Sequence, residues 1–142
     1  MIEGLLGVFA AISIIAAARK QNLSHWLYSV ALISLPIIYI FFGALSGDLG
    51  VVFNEIVYGL PFIISGSLCL IFGFKASGYF LASLWLAHGA YDIYHDVLFI
   101  NSGVPSWYPV FCAVVDTGVG LYLFYSVFKL PNLNIKETDP SR

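Results

Sequence analysis

Five stretches of this chain each run for about twenty residues with almost no charge, the length a helix needs to cross a bilayer's hydrocarbon core. They cover about residues 2–18, 25–43, 49–74, 78–100 and 107–128. Runs of this length exceed a barrel strand and lack its strict alternation, so they predict helices. The breaks between them carry turn chemistry or charge: Arg19-Lys20, Gly43-Ala44-Leu45-Ser46-Gly47-Asp48, Lys75, and Asn101-Ser102-Gly103-Val104-Pro105-Ser106. Over the whole chain 60% of residues are hydrophobic, 10% are charged and the mean hydropathy is +0.90. Fourteen formal charges cannot coat a soluble domain of this mass. A soluble enzyme, a disordered regulator and a nucleic-acid binder are thereby excluded. The expected fold is all-α: a polytopic membrane bundle of five transmembrane helices, one domain over residues 1–130, with a polar tail at 131–142.

The basic residues predict orientation. Arg19, Lys20, Lys75, Lys129, Lys136 and Arg142 all fall on one side of such a bundle, and loops two and four contain none. The positive-inside rule makes that side cytoplasmic, with the N-terminus outside, the C-terminus inside, and the protein multi-pass in the cytoplasmic (inner) membrane. Trp26 and Tyr28 are expected at the inner interface, Trp107 and Tyr108 at the outer one. Ala16-Ala17-Ala18 satisfies the small-residue rule of a signal-peptidase site, but the acidic start at Glu3 argues against a leader. The sequon Asn22-Leu23-Ser24 falls in a cytoplasmic loop and is not expected to be glycosylated. Cys69 and Cys112 lie at depths differing by roughly 20 Å, too far for a disulfide. All four lysines sit at membrane edges or in the tail, which excludes a retinal-type Schiff base.

Ionisable groups inside a membrane are costly and by default functional. Here Glu55 lies on the third segment, His88, Asp92, His95 and Asp96 on the fourth, and Asp116 on the fifth. At 100° per residue, Asp92 falls about 40° to one side of His88 and His95 about 20° to the other, one narrow stripe. Asp96 lies about 80° off the stripe near the outer end, within reach of water. Glu55 shares a face with Gly59 and Gly66, extended by Gly73, so it is aimed at another helix. Tyr108, Cys112, Asp116 and Gly120 form one face of the fifth segment. Counted from the outer ends, Glu55 lies roughly 9 Å deep, Asp92 roughly 12 Å and Asp116 roughly 13 Å. Agreement in depth and direction predicts one shared site in the outer half of the membrane, beneath the Pro105 loop. Tyr91, Tyr94, Cys112 and Tyr108 are expected to line it, with Trp85 and Trp107 nearby.

The pattern of a buried Glu55, Leu86-Ala87-His88-Gly89-Ala90-Tyr91-Asp92-Ile93-Tyr94-His95, Pro105, and Cys112-Ala113-Val114-Val115-Asp116 resembles an uncharacterised group of small bacterial integral membrane proteins. The resemblance covers about the last ninety residues. It implies a bacterial membrane protein with this site and carries no activity.

Three chemistries suit such residues. His88, His95, Asp92, Asp116 and Glu55 are the donor types of a divalent zinc or iron site, though not all at once. Seven residues of helix separate the two histidines by roughly 10 Å, so one would serve as ligand and the other as an outer partner or base. Without a metal, the same five form an acid–base site, with His88–Asp92 as base and orienter and Glu55 or Asp116 as acid. Either would act as an enzyme on a lipid-soluble or amphipathic small molecule arriving from the bilayer. Proton, metal or small-molecule carriage is the alternative. The inner halves offer only small polar groups such as Ser65 and Cys69, so carriage would demand a homo-oligomer or partner. Last, the cluster could do no more than hold helices together, as membrane His–Asp pairs do.

Overall fold

The computed structural model describes residues 2–20, 24–72 and 74–134, and among them the fold is all-helical. The sequon, Gly73, the Lys75 side chain, and the tail past Asn134 with Lys136 and Arg142 lie outside the described residues. The helices are α1 (Ile2–Lys20), α2 (Ser24–Ser46), α3 (Leu49–Phe72), α4 (Phe74–Leu98) and α5 (Tyr108–Asn134). Four of them, α1, α2, α3 and α5, are long and apolar enough to cross a membrane. The fourth, α4, has the length, at 25 residues, but its ionisable stripe lowers its apolar character.

Helix ends differ from the expected ones where tertiary contact overrides turn chemistry. Gly43 does not end α2. It is buried where α3 closes on α2, and a Cβ there would sit 3.3 Å from the Val52 Cα. The stop is Gly47, at φ +74°, the left-handed residue that commonly follows a helix. Asp48 then caps α3, its Oδ1 accepting from the Gly50 N–H at 2.7 Å and the Val51 N–H at 3.4 Å. At the far end α5 continues through Pro131 to Asn134, into the segment expected as tail, because a proline removes one helical hydrogen bond without forbidding the turn.

The helices form two antiparallel hairpins, α2–α3 and α4–α5, joined through α3 on α4, while α1 lies on α5. The backbones meet at glycines. A Cβ on Gly59 would lie 2.7 Å from Pro36 Cβ, and one on Gly66 would lie 2.9 Å from Ile33 Cγ1, so the glycine face of α3 is the seat of α2. On α5, Gly120 receives Leu86 of α4. Gly7 meets Phe111 and Val114, and Gly118 meets Ala11, so α1 runs parallel to α5. Arg19 and Lys20 therefore end α1 toward the same side of the bundle as Lys129 of α5. Gly59→Val is expected to push α2 from α3, because the Pro36 ring has no rotamer with which to yield. The cost is about 1–3 kcal/mol, measured as a lower unfolding midpoint in detergent; an unchanged midpoint would refute the tight contact.

The apolar core lies on the basic side of the bundle, around Tyr28, Leu32, Cys69, Leu81, Trp85, Val119 and Leu123. Tyr28 is fully buried beside Tyr122, with ring centroids 6.4 Å apart, while Trp26, two residues away and about 200° around the helix, is exposed. Neither Cys69 nor Cys112 forms a disulfide.

Candidate functional site

The stripe on α4 supplies the site because α3, α5 and α2 all pack on that face. Its opposite face is apolar and exposed, with Ile93 and Val97. His88, Asp92, His95, Glu55 and Asp116 are all at most 2% exposed. The ionisable residues expected to converge do so, but in two clusters.

The deeper cluster joins α4 to α5. The Nδ1 of His88 lies 2.8 Å from Asp116 Oδ2 and 3.5 Å from Asp92 Oδ2. Gly89 makes this approach possible, since a Cβ there would lie 3.2 Å from the Asp116 Cβ. The Phe62 ring of α3 stands edge-on to the His88 ring, with centroids 4.8 Å apart. Three polar atoms of this cluster, His88 Nε2, Asp92 Oδ2 and Asp116 Oδ1, make no hydrogen bond to protein. Such atoms are rare in a buried site and call for a bound partner or a chemical role.

The shallower cluster joins α4 to α3 and to the loop. Glu55 Oε1 accepts from Asn101 Nδ2 at 2.7 Å and lies 2.9 Å from His95 Nε2, while Oε2 accepts from the Tyr91 hydroxyl at 2.9 Å. The other His95 nitrogen, Nδ1, lies 3.2 Å from Asp96 Oδ1. The Asp96 side chain is 77% exposed, so this carboxylate does reach the surface, as its position off the stripe implied, and it also holds His95.

Between the clusters stands Tyr39 of α2. Its hydroxyl donates to Asp92 Oδ1 at 2.8 Å, and its ring lies 4.8 Å from the His95 ring and 5.5 Å from the Tyr108 ring. Cys112 and Tyr108 of α5 pack against Tyr39 in a small apolar cluster that Val104 of the loop joins.

Of the residues expected to line the site, Tyr91, Tyr108 and Cys112 are brought to it. Tyr94 is not: it is 60% exposed, on the side of α4 away from the stripe. Trp85 is buried in the apolar core one turn deeper, and Trp107 is 46% exposed. Two site residues escaped the sequence reading. Tyr39 is one tyrosine among nine, and nothing in an apolar helix marks the one whose hydroxyl meets a carboxylate. Asn101 read as a turn residue, and it is one, with its Oδ1 accepting from the Gly103 N–H at 3.0 Å. Its position directly after a polar-striped helix was the available signal for its second bond, to Glu55.

The donor set of the deeper cluster fits a cation. One ligand atom from each of His88, Asp92 and Asp116 can be chosen so that all lie within 4.8 Å of one another. One imidazole nitrogen with two carboxylates is the mixed donor set that zinc and non-haem iron accept. His95 belongs to the other cluster, in keeping with the roughly 10 Å that separates the histidines along a helix. No protein-family model, curated protein or solved structure matches the chain.

Proposed function

We propose that this chain is a multi-pass enzyme of the bacterial cytoplasmic membrane, its N-terminus outside, which uses a zinc or iron ion at His88, Asp92 and Asp116 to act on a lipid-soluble or amphipathic small molecule. One observation carries the reading: three buried ionisable groups converge from two helices, and each keeps a polar atom unbonded to protein. A cluster serving only to join helices would satisfy its members mutually, because an unbonded buried polar atom costs about 1–3 kcal/mol. The segregation of basic residues supports the orientation, and the resemblance to small bacterial membrane proteins supports the compartment.

When bound, the ion supplies a Lewis acid and lowers the pKa of a coordinated water. The protein residues have separable tasks. Asp116 holds the His88 ring through Nδ1, which sets the ring's orientation and leaves Nε2 as the nitrogen that would serve as ligand. Tyr39 holds one oxygen of Asp92 and so aims the other at the cluster. Apolar walls, including the Phe62 ring, exclude bulk water and strengthen each electrostatic contact.

The test combines elemental analysis with lipid chemistry on the full chain. Purified protein is incubated with zinc or iron, desalted, and reconstituted in vesicles of bacterial polar lipid extract. The expected result is close to one ion per chain and, by mass spectrometry, depletion of one lipid class that metal-free protein leaves intact. No bound ion overturns the metal site. A bound ion with an unchanged lipid profile overturns the enzymatic reading on this substrate class and turns attention to carriage.

A further inference from the structure

His95 has a carboxylate on each ring nitrogen, one buried and one in contact with the surface. The Nε2 faces Glu55, which is 1% exposed, at 2.9 Å; the Nδ1 faces Asp96, whose side chain is 77% exposed, at 3.2 Å. An imidazole bonded at both nitrogens can take a proton at one while releasing its proton from the other. We propose that Asp96, His95 and Glu55 form a proton relay, carrying protons between the water at the α4–α5 loop and the buried Glu55 carboxyl without opening the bundle.

The step balances. A protonated Asp96 gives its proton to His95 Nδ1, and the proton on Nε2 passes to the ionised Glu55 at Oε1. Asp96 ends as a carboxylate, Glu55 as a carboxylic acid, and His95 in the opposite tautomer. Passage in the reverse direction, from Glu55 through His95 to Asp96, restores the start. Oε1 has two lone-pair directions, and Asn101 Nδ2 occupies one of them, which leaves the other for the His95 line. Tyr91 holds Oε2, so the carboxyl plane stays aligned through the transfer.

The surroundings favour transfer along this line. Tyr39 of α2 lies over the His95 ring, and Tyr91 and Phe99 flank it. The α5 helix contributes Tyr108 one ring further away, against Tyr39. These groups cover the ring with aromatic surface, leaving Asp96 as its exposed carboxyl neighbour. The Asp92 carboxylate is separated from His95 by Tyr39, whose hydroxyl it accepts. The relay thus serves Glu55, and it stands whether or not the deeper cluster holds an ion.

Asp96→Asn tests it, because an exposed side chain can be replaced without repacking. The full chain in lipid nanodiscs is subjected to a pH jump, and the carboxyl stretch of Glu55, assigned by its loss in Glu55→Gln, is followed by infrared spectroscopy. The Glu55 response is expected to slow by about 100-fold in Asp96→Asn, the scale of one positioned acid–base group, and to recover in Asp96→Glu. Circular dichroism melting confirms that each variant is folded. An Asp96→Asn protein whose Glu55 responds as fast as wild type overturns the relay, as does a wild-type Glu55 with no response. Metal content does not enter this readout, so the relay and the metal site can fail separately.

Discussion

Asp116→Asn is expected to abolish metal binding while leaving the ion-free protein as stable as wild type or more so. The amide is close in shape to the carboxylate, and its oxygen can still accept the His88 Nδ1–H bond now made at 2.8 Å. What disappears is one negative charge from a fully buried pair of carboxylates that share a single imidazole. Removing a like charge from such a site relieves repulsion, and replacing buried ionic groups by neutral ones of similar volume is often neutral or stabilising. A cation responds in the opposite sense, because a neutral amide oxygen is a far weaker ligand than a carboxylate. The affinity loss should exceed the roughly 10–100-fold typical of an outer partner. Competition with a chromophoric chelator gives the affinity, and thermal unfolding in the presence of chelator gives the stability. Opposite signs in the two measurements would mark a metal ligand. A variant that lost stability and kept its affinity would show Asp116 to be a structural partner of His88 only.

Glu55→Ala is expected to produce the largest loss of stability of any single change in the site. Its two oxygens satisfy three neighbours, His95, Tyr91 and Asn101, which come from α4 and the α4–α5 loop. Truncation strands all three in a buried setting and leaves a cavity. Breaking a buried network by removing one partner costs about 3–5 kcal/mol. Glu55→Gln keeps the shape and an acceptor oxygen, so it should retain much of that stability. The loss should also be local: amide hydrogen exchange is expected to rise first in the loop around Asn101 and Val104, which is tethered to α3 through this carboxylate. Equal stability of Glu55→Ala and wild type would remove the network from any account of the fold.

Much of this was legible in the chain, for physical reasons that can be named. An apolar run of bilayer length has few ways to satisfy its backbone other than a helix, so four of the five helices follow from local hydropathy alone. The facing of His88, Asp92 and His95 follows from helical periodicity, and the closeness of α2 to α3 was implicit in the spacing of Gly59 and Gly66. Helix ends were less legible where tertiary contact decides them. Gly43 is a helix stopper by propensity but serves as a contact point, and the stop falls to Gly47, where no neighbour holds the chain in helical geometry.

The sequence by itself determined that charge is scarce and that its few buried members lie toward one end of their helices, because both are properties of linear spacing on a rigid helix. Only the tertiary structure decided that these members form two clusters and not one. Which carboxylate meets which imidazole depends on the rotation of α3 and α5 about their own axes, and that is set by where glycines let the neighbouring helix in. It depends as well on Tyr39, a side chain from a helix with no ionisable group at this depth, which fills the gap between the clusters and bonds to one of them.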